Sequence, residues 1–347
     1  MDAYDRREFL RRVGRTGVAA AVSAGGLAML AGCDAPTRSV APAASKASLE
    51  TTRLRMDRPA VCSAPQVVAE QTLRDEGFTD VQYVVVDALR VPQALASGEL
   101  DINVQFGAPT IMRVDAGDPI VFLAGLHVGC FELFGTDQVR GISDLKGRTV
   151  SAGLPGGVGY VYLSSMAAYV GLDPSRDIVY EPRPRIEGMR VFAEGRLDAL
   201  LALAPEAQEL RANKVGHVIV NSALDRPWSQ YFCCVVAGNR EFVRTHPVAT
   251  KRALRAILRA ADICATQPEV AARALVDQGY TPRYDYALQA MRDIPYNRWR
   301  EYDPEDTIRF YALRLHEVGM VKSSPNTILR NGTDWRFLNE LKRELKA

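Results

Sequence analysis

The sequence predicts an α/β protein of two doubly wound lobes, and three observations carry the expectation. Short β-branched or apolar runs alternate with helical patterns from about residue 52 to residue 220, the order that parallel sheets covered by helices require. The segment Ala96-Ser97-Gly98-Glu99-Leu100-Asp101, with an apolar run to Ala108-Pro109, is matched by Ala193-Glu194-Gly195-Arg196-Leu197-Asp198 and a run to Ala204-Pro205. The offset is 97 at the glycines, 96 at the prolines, and 94 where Gly77-Phe78 and Gly171-Leu172 close the preceding helical patterns. Such matched landmarks mean one α/β unit written twice. The third observation is a long helical tail with no counterpart in the second unit.

In the first unit a strand over 52–56 leads to a helix over 65–76 that Gly77 stops. A β-branched run over 81–86 follows, then a short helix over 91–97 ended by Gly98, a strand over 102–106, a helix over 109–116 and a strand over 120–126. The second unit repeats that order at 149–152, 160–170, 178–181, 186–194, 198–203, 205–212 and 217–220. After a strand over 232–237 the chain reads as helix to its end, with Thr245 and Asp303 as N-caps and Pro247 and Pro304 at first helical positions. The tail is assigned to the first lobe, which spans residues 51–134 and 233–347 and leaves 135–232 to the second. Crossovers are expected near 131–144 and 225–232, and two crossovers make a hinge.

Residues 1–33 stand apart from the fold. Arg6 and Arg7 precede Phe9-Leu10, residues 17–30 carry no charge, and Leu30-Ala31-Gly32-Cys33 follows. The apolar stretch is too short to span a bilayer as a stable helix, and its place behind a basic segment marks an export signal. The arginine pair resembles a twin-arginine signal and the last four residues a lipobox, which implies lipidation of Cys33 and anchoring to the outer face of a membrane. Residues 34–50, rich in Ala, Pro and Ser, suit a flexible tether.

Without residues 1–32 the chain carries 38 basic and 38 acidic side chains. That balance excludes nucleic acid as a partner, because phosphate recognition needs a basic surplus. The cysteines beyond the signal, at 62, 130, 233, 234 and 264, are odd in number and show no Cys-x-x-Cys spacing, so buried thiols are expected rather than a disulfide. The histidines at 127, 217, 246 and 316 are isolated, and no metal site is expected.

In open parallel sheets a ligand sits beyond the carboxyl ends of the strands, where helix N-termini emerge. Four helix starts fall there: Cys62-Ser63-Ala64-Pro65, Gly107-Ala108-Pro109, Gly156-Gly157-Val158-Gly159-Tyr160 and Ala204-Pro205. Their free N–H groups suit an anionic or strongly polar group. The glycine cluster lacks the Gly-Lys-Ser/Thr ending of a phosphate loop, and Tyr162 stands where the dinucleotide fingerprint has its third glycine, so no cofactor is expected. Candidate ligand contacts are Cys62, Ser63, Phe106, Gly107, Ala108, His127, Gly156, Gly157, Val158, Tyr160, Arg183, Ala204, Trp228 and Tyr231. Aromatic rings sandwich a flat body and Arg183 pairs with a carboxylate.

The Ala-Ser-Gly-Glu-Leu-Asp segment, the Ile142-Ser143-Asp144-Leu145-Lys146-Gly147-Arg148-Thr149-Val150 stretch, Arg240-Glu241-Phe242-Val243 and His246-Pro247 resemble the SsuA/THI5-like (NMT1-like) solute-binding proteins. The resemblance implies a type II periplasmic-binding fold, contacts from the four helix-start loops, and capture of a sulfonate, taurine, nitrate or pyrimidine-type solute. It also implies a monomer working with an ABC permease and its ATPase subunits. Many relatives carry Gly-Ser or Gly-Thr where this chain has Gly157-Val158. Two alternatives stand beside the importer reading. One is the enzyme activity of the family's fungal pyrimidine synthases, which Phe232-Cys233-Cys234 faintly echoes; the other is an anchored solute sensor.

Overall fold

A computed structural model describes residues 48–58 and 61–345. Arg6, Arg7, Cys33 and residues 34–47 of the tether lie outside the described residues. The first unit runs β1 (Arg53–Asp57), α1 (Ala64–Asp75), β2 (Asp80–Val84), α2 (Val91–Ser97), β3 (Ile102–Phe106), α3 (Gly107–Asp115) and β4 (Ile120–His127). After β5 (Phe131–Gly135) the second runs β6 (Thr149–Ser151), α4 (Val158–Tyr169), β7 (Val179–Tyr180), α5 (Arg185–Ala193), β8 (Ala199–Leu203), α6 (Glu206–Ala212) and β9 (His217–Asn221). Then come β10 (Cys234–Asn239), α7 (Arg240–Thr245), α8 (Pro247–Thr266), α9 (Pro268–Asp277), α10 (Tyr284–Asp293), α11 (Pro304–Glu317), α12 (Pro325–Gly332) and α13 (Arg336–Glu344).

Local chemistry sets these ends. Gly98, at φ 79°, closes α2 in the left-handed conformation that a residue without Cβ adopts at little cost. Asp303 caps α11 by accepting from the Glu305 N–H at 2.9 Å, with Pro304 in the first turn. Thr245, expected to cap α8, instead ends α7 and donates its hydroxyl to the Glu241 carbonyl at 2.7 Å; His246 holds the cap position.

The repeat is legible in the sheets. The second unit forms one ladder in the order β7-β6-β8-β5-β9. The first forms β2-β1 and β3-β10-β4, the same order with a gap between β1 and β3. Side chains bridge that gap. The Asp101 carboxylate accepts from the Arg55 N–H at 2.7 Å and from its guanidinium at 2.5 Å, and Asn103 accepts from the Asp57 N–H at 2.9 Å.

Several expectations change. The sheets are mixed rather than largely parallel, since β10 runs antiparallel to β3 and β4, and β5 antiparallel to β8 and β9. Residues Phe131 and Phe134, expected in the first lobe, pair in the second sheet, so the chain passes between the sheets at 128–130 and again at 222–233. β5 is flanked on both sides and buried along its whole length, Glu132 included, so its residue types do not announce a buried strand. The helical tail also departs from its assignment to one lobe: α11 packs on both α3 and α4, and Asp293 of α10 accepts from Gln208 of α6 at 3.1 Å and pairs with Arg211.

A disulfide joins Cys130 and Cys233, with Cα atoms 6.4 Å apart, against the expectation of free thiols; Cys62, Cys234 and Cys264 are buried and unpaired. The antiparallel register sets Cys234 opposite His127, so residues just after β4 and just before β10 meet although 103 positions separate them. The two crossovers therefore lie side by side. Gly129, at φ 82°, leaves room for Ala223, whose Cβ would stand 2.5 Å from any side chain there. Among the described residues no helix is long and apolar enough to cross a membrane.

Candidate functional site

Where strands of both units end, a cavity of about 400 Å³ opens. From the first unit it takes the end of β1, the loop over 86–92 and the end of β3; from the second it takes the glycine loop over 153–159, the start of α5 and inward residues of β8. Five helix starts converge on it. Ser63, Phe106, Gly157 and Pro184 are the cap residues of α1, α3, α4 and α5, and Pro92 lies in the first turn of α2.

Its walls are mostly apolar, with Leu89, Val91, Val158, Leu201 and Leu203 supplying the aliphatic surface. The glycines allow the second wall to approach. A Cβ on Gly157 would stand 2.9 Å from the Leu154 carbonyl oxygen and 3.5 Å from the Leu89 side chain, which reaches it from the opposite unit.

A few polar groups face this surface, the usual composition of a small-molecule site. Asp57 is 6% exposed, and burial pushes its carboxyl up to about 6 although Gln66 and Asn103 hydrogen-bond to it. Gln66 donates to its Oδ1 at 2.9 Å. Gln105 is 4% exposed and its Nε2 has no protein partner, an unmet donor that costs about 1–3 kcal/mol until something accepts from it. Arg185 pairs with Glu206 at 3.2 Å, and Arg58 donates to the Gln278 carbonyl while lying 4.9 Å over the Tyr280 ring.

Of the residues singled out from sequence, Ser63, Phe106, Gly156, Gly157 and Val158 line this cavity. Cys62, Gly107 and Ala108 are buried beside it without lining it, and the Gly107 N–H donates to the Cys233 carbonyl at 2.8 Å. Ala204 is buried away from the wall, so the fourth helix start does not take part. His127 is fully enclosed, its Nδ1 3.0 Å from the Val128 carbonyl and its ring edge-on to Tyr296, and burial lowers it to about 4, where it stays neutral. Tyr160 packs edge-on to Tyr180. Arg183 is held by Glu181 at 2.7 Å and Glu187 at 2.8 Å. Trp228 is buried among Phe131, Tyr169 and Phe310, and Tyr231 stacks on Phe310 at 4.0 Å.

Asp57, Gln105 and Arg185 escape the sequence reading. The strand-end rule that points to Phe106 also points to Asp57 and Gln105, at the ends of β1 and β3, but nothing in the sequence marks either as buried. The cysteines converge unannounced as well: the sulfurs of Cys62, Cys130 and Cys234 lie within 4.8 Å of one another, and His127 meets Cys233 and Cys234. The Cys130–Cys233 bond withdraws two of them, leaving Cys62, which its hydrogen bond with Cys234 holds below the ordinary thiol range, and Cys234, which burial pushes up.

The NMT1/THI5-like family profile matches residues 73–271. No curated protein matches the chain. Among solved structures, the nitrate-binding protein NrtA of Synechocystis PCC 6803 is 14% identical at a TM-score of 0.70, over 86% of this chain and 90% of that one. The putative periplasmic sulfonate-binding protein SsuA of Methylobacillus flagellatus KT is 17% identical at 0.64, over 85% and 94%. The aliphatic sulphonate-binding SsuA of Escherichia coli is 16% identical at 0.65, over 79% and 90%. Identities this low speak for the shared two-lobe fold and not for the solute.

Proposed function

The chain belongs to the NMT1/THI5-like family, and on that premise we propose that it is the extracytoplasmic solute-binding component of an ABC importer. Lobe 1 comprises β1 to β4 with β10, lobe 2 comprises β5 to β9, and the segments over 128–130 and 222–233 form the hinge. Closure of the lobes traps one small organic solute, which is handed to a permease driven by its ATPase subunits. The carrying observation is the 400 Å³ cavity walled by both units, with five helix starts and an unmet donor, Gln105 Nε2, against apolar surface. The sulfonate- and nitrate-binding proteins of the same fold support a receptor role. Export by the twin-arginine route and an acyl anchor on Cys33 complete the proposal, on the motifs at Arg6-Arg7 and Leu30-Ala31-Gly32-Cys33.

No observation favours the synthase alternative: among the described residues no lysine lines the cavity to hold a pyridoxal group, and His127 lies off its wall. The purified protein is expected to bind one solute per chain and to gain stability as RT ln(1 + [L]/Kd), about 2.7 kcal/mol at a hundredfold excess over Kd. A thermal-shift screen of small organic solutes and oxyanions checks this, and a flat response throughout sinks the receptor reading. Cys33→Ala is expected to release the protein from membranes into the soluble fraction; unchanged membrane association overturns the anchor.

A further inference from the structure

Resting on the receptor reading, we infer that the solute presents a donor nitrogen, as an amine, amide or N–H-bearing ring, to Asp57, and a hydrogen-bond acceptor to Gln105, and that simple oxyanions are not its class. The polar groups of the wall point that way. Two carboxylates, Asp57 and Asp87, line the side of the cavity built by the first unit. Asp57 is buried and Asp87 exposed, so an anion brought against this side meets like charge that is least screened at Asp57. Of the two guanidiniums of the wall, Arg185 is offset by Glu206 at 3.2 Å, and Arg58 keeps its charge but is drawn onto the Gln278 carbonyl and the Tyr280 ring.

The helix starts do not reverse this balance. The first N–H of α3 is bonded to the Cys233 carbonyl, and Val158 brings no hydroxyl to the start of α4. What the starts of α4 and α5 still offer are backbone donors on the side opposite Asp57, suited to a carbonyl or another acceptor at the far end of the molecule. Gln105 adds a second donor. Its Nε2 is enclosed with no protein acceptor, and the residue lies between Val104 and Phe106 on the strand that faces the cavity. Asp57 accepts from Gln66 on Oδ1 and donates from its N–H to Asn103, so its side chain is oriented before any solute arrives. The wall thus asks for a molecule with a donor at one end, acceptors beside and beyond it, and an apolar body between.

The test is a thermal-shift library divided equally among amines, neutral amides and N–H heterocycles, and anions without a donor nitrogen, namely carboxylates, sulfonates and nitrate. Hits are expected from the first two classes, with affinity falling at least tenfold in Asp57→Asn by titration calorimetry. Gln105→Leu, an independent change of the same wall, is expected to weaken the same compounds at least tenfold. Hits confined to the anions, or compounds that keep their affinity in both variants, overturn the inference while leaving a solute-binding protein. A library with no hits overturns the receptor reading itself, and the inference falls with it.

Discussion

The double variant Cys130→Ala/Cys233→Ala is expected to lose about 4 kcal/mol of stability, read as a lower urea midpoint, with a steeper slope because the unfolded chain is no longer cross-linked. The bond closes a loop of 103 residues, and the chain entropy that such a closure removes from the unfolded state grows with the logarithm of loop length. It also ties together the two segments that run between the sheets, next to Gly129 against Ala223 and to Ser222, whose hydroxyl accepts from the Phe131 N–H at 3.0 Å. Alkylation in denaturant gives an independent reading. Of the five cysteines from residue 62 onward, three are expected to label without reductant and all five with it. Five labels without reductant, or an unchanged urea midpoint on reduction, overturn the expectation. Because the bond forms and persists outside a reducing cytoplasm, this outcome also bears on the proposed extracytoplasmic location.

Asp57→Asn is expected to make the protein more stable at pH 8, by about 2–3 kcal/mol, while weakening solute binding. The sign follows from proton linkage. Burial raises the native carboxyl to about 6, whereas in the unfolded chain it titrates near 3.9. Between those values the native state holds the proton more tightly, so stability falls as pH rises through the window and the penalty is complete above about pH 6. Asparagine keeps an acceptor for Gln66 Nε2, now 2.9 Å from Oδ1, and carries no charge to bury. The two proteins are therefore expected to unfold alike at pH 4 and to diverge up to pH 6. A variant less stable than the parent at pH 8 means that Asp57 is structural. Parity at all pH values means that its charge is not buried as the fold suggests. A residue that lowers stability and lines a cavity is retained for what it binds.

The sequence by itself determined the alternation, the repeat and most helix ends, because these rest on local chemistry. Gly98 at the end of α2, Pro304 and Asp303 at the start of α11, and the paired Gly-Glu-Leu-Asp and Gly-Arg-Leu-Asp segments act within a few residues of where they stand. It also located three of the helix starts at the cavity, since strand ends of parallel sheets gather on one side whatever the packing details. Tertiary structure alone decided which side chains face that cavity. Trp228 and Tyr231 are spent on packing against Phe310, Tyr160 on Tyr180, and Arg183 on Glu181 and Glu187, because burial depends on what arrives from elsewhere in the chain. The same holds for β5, for the Cys130–Cys233 bond and for the enclosed Asp57 and Gln105. Each depends on contacts between segments dozens to a hundred residues apart, and the periodicity of neighbouring residues carries no trace of such contacts.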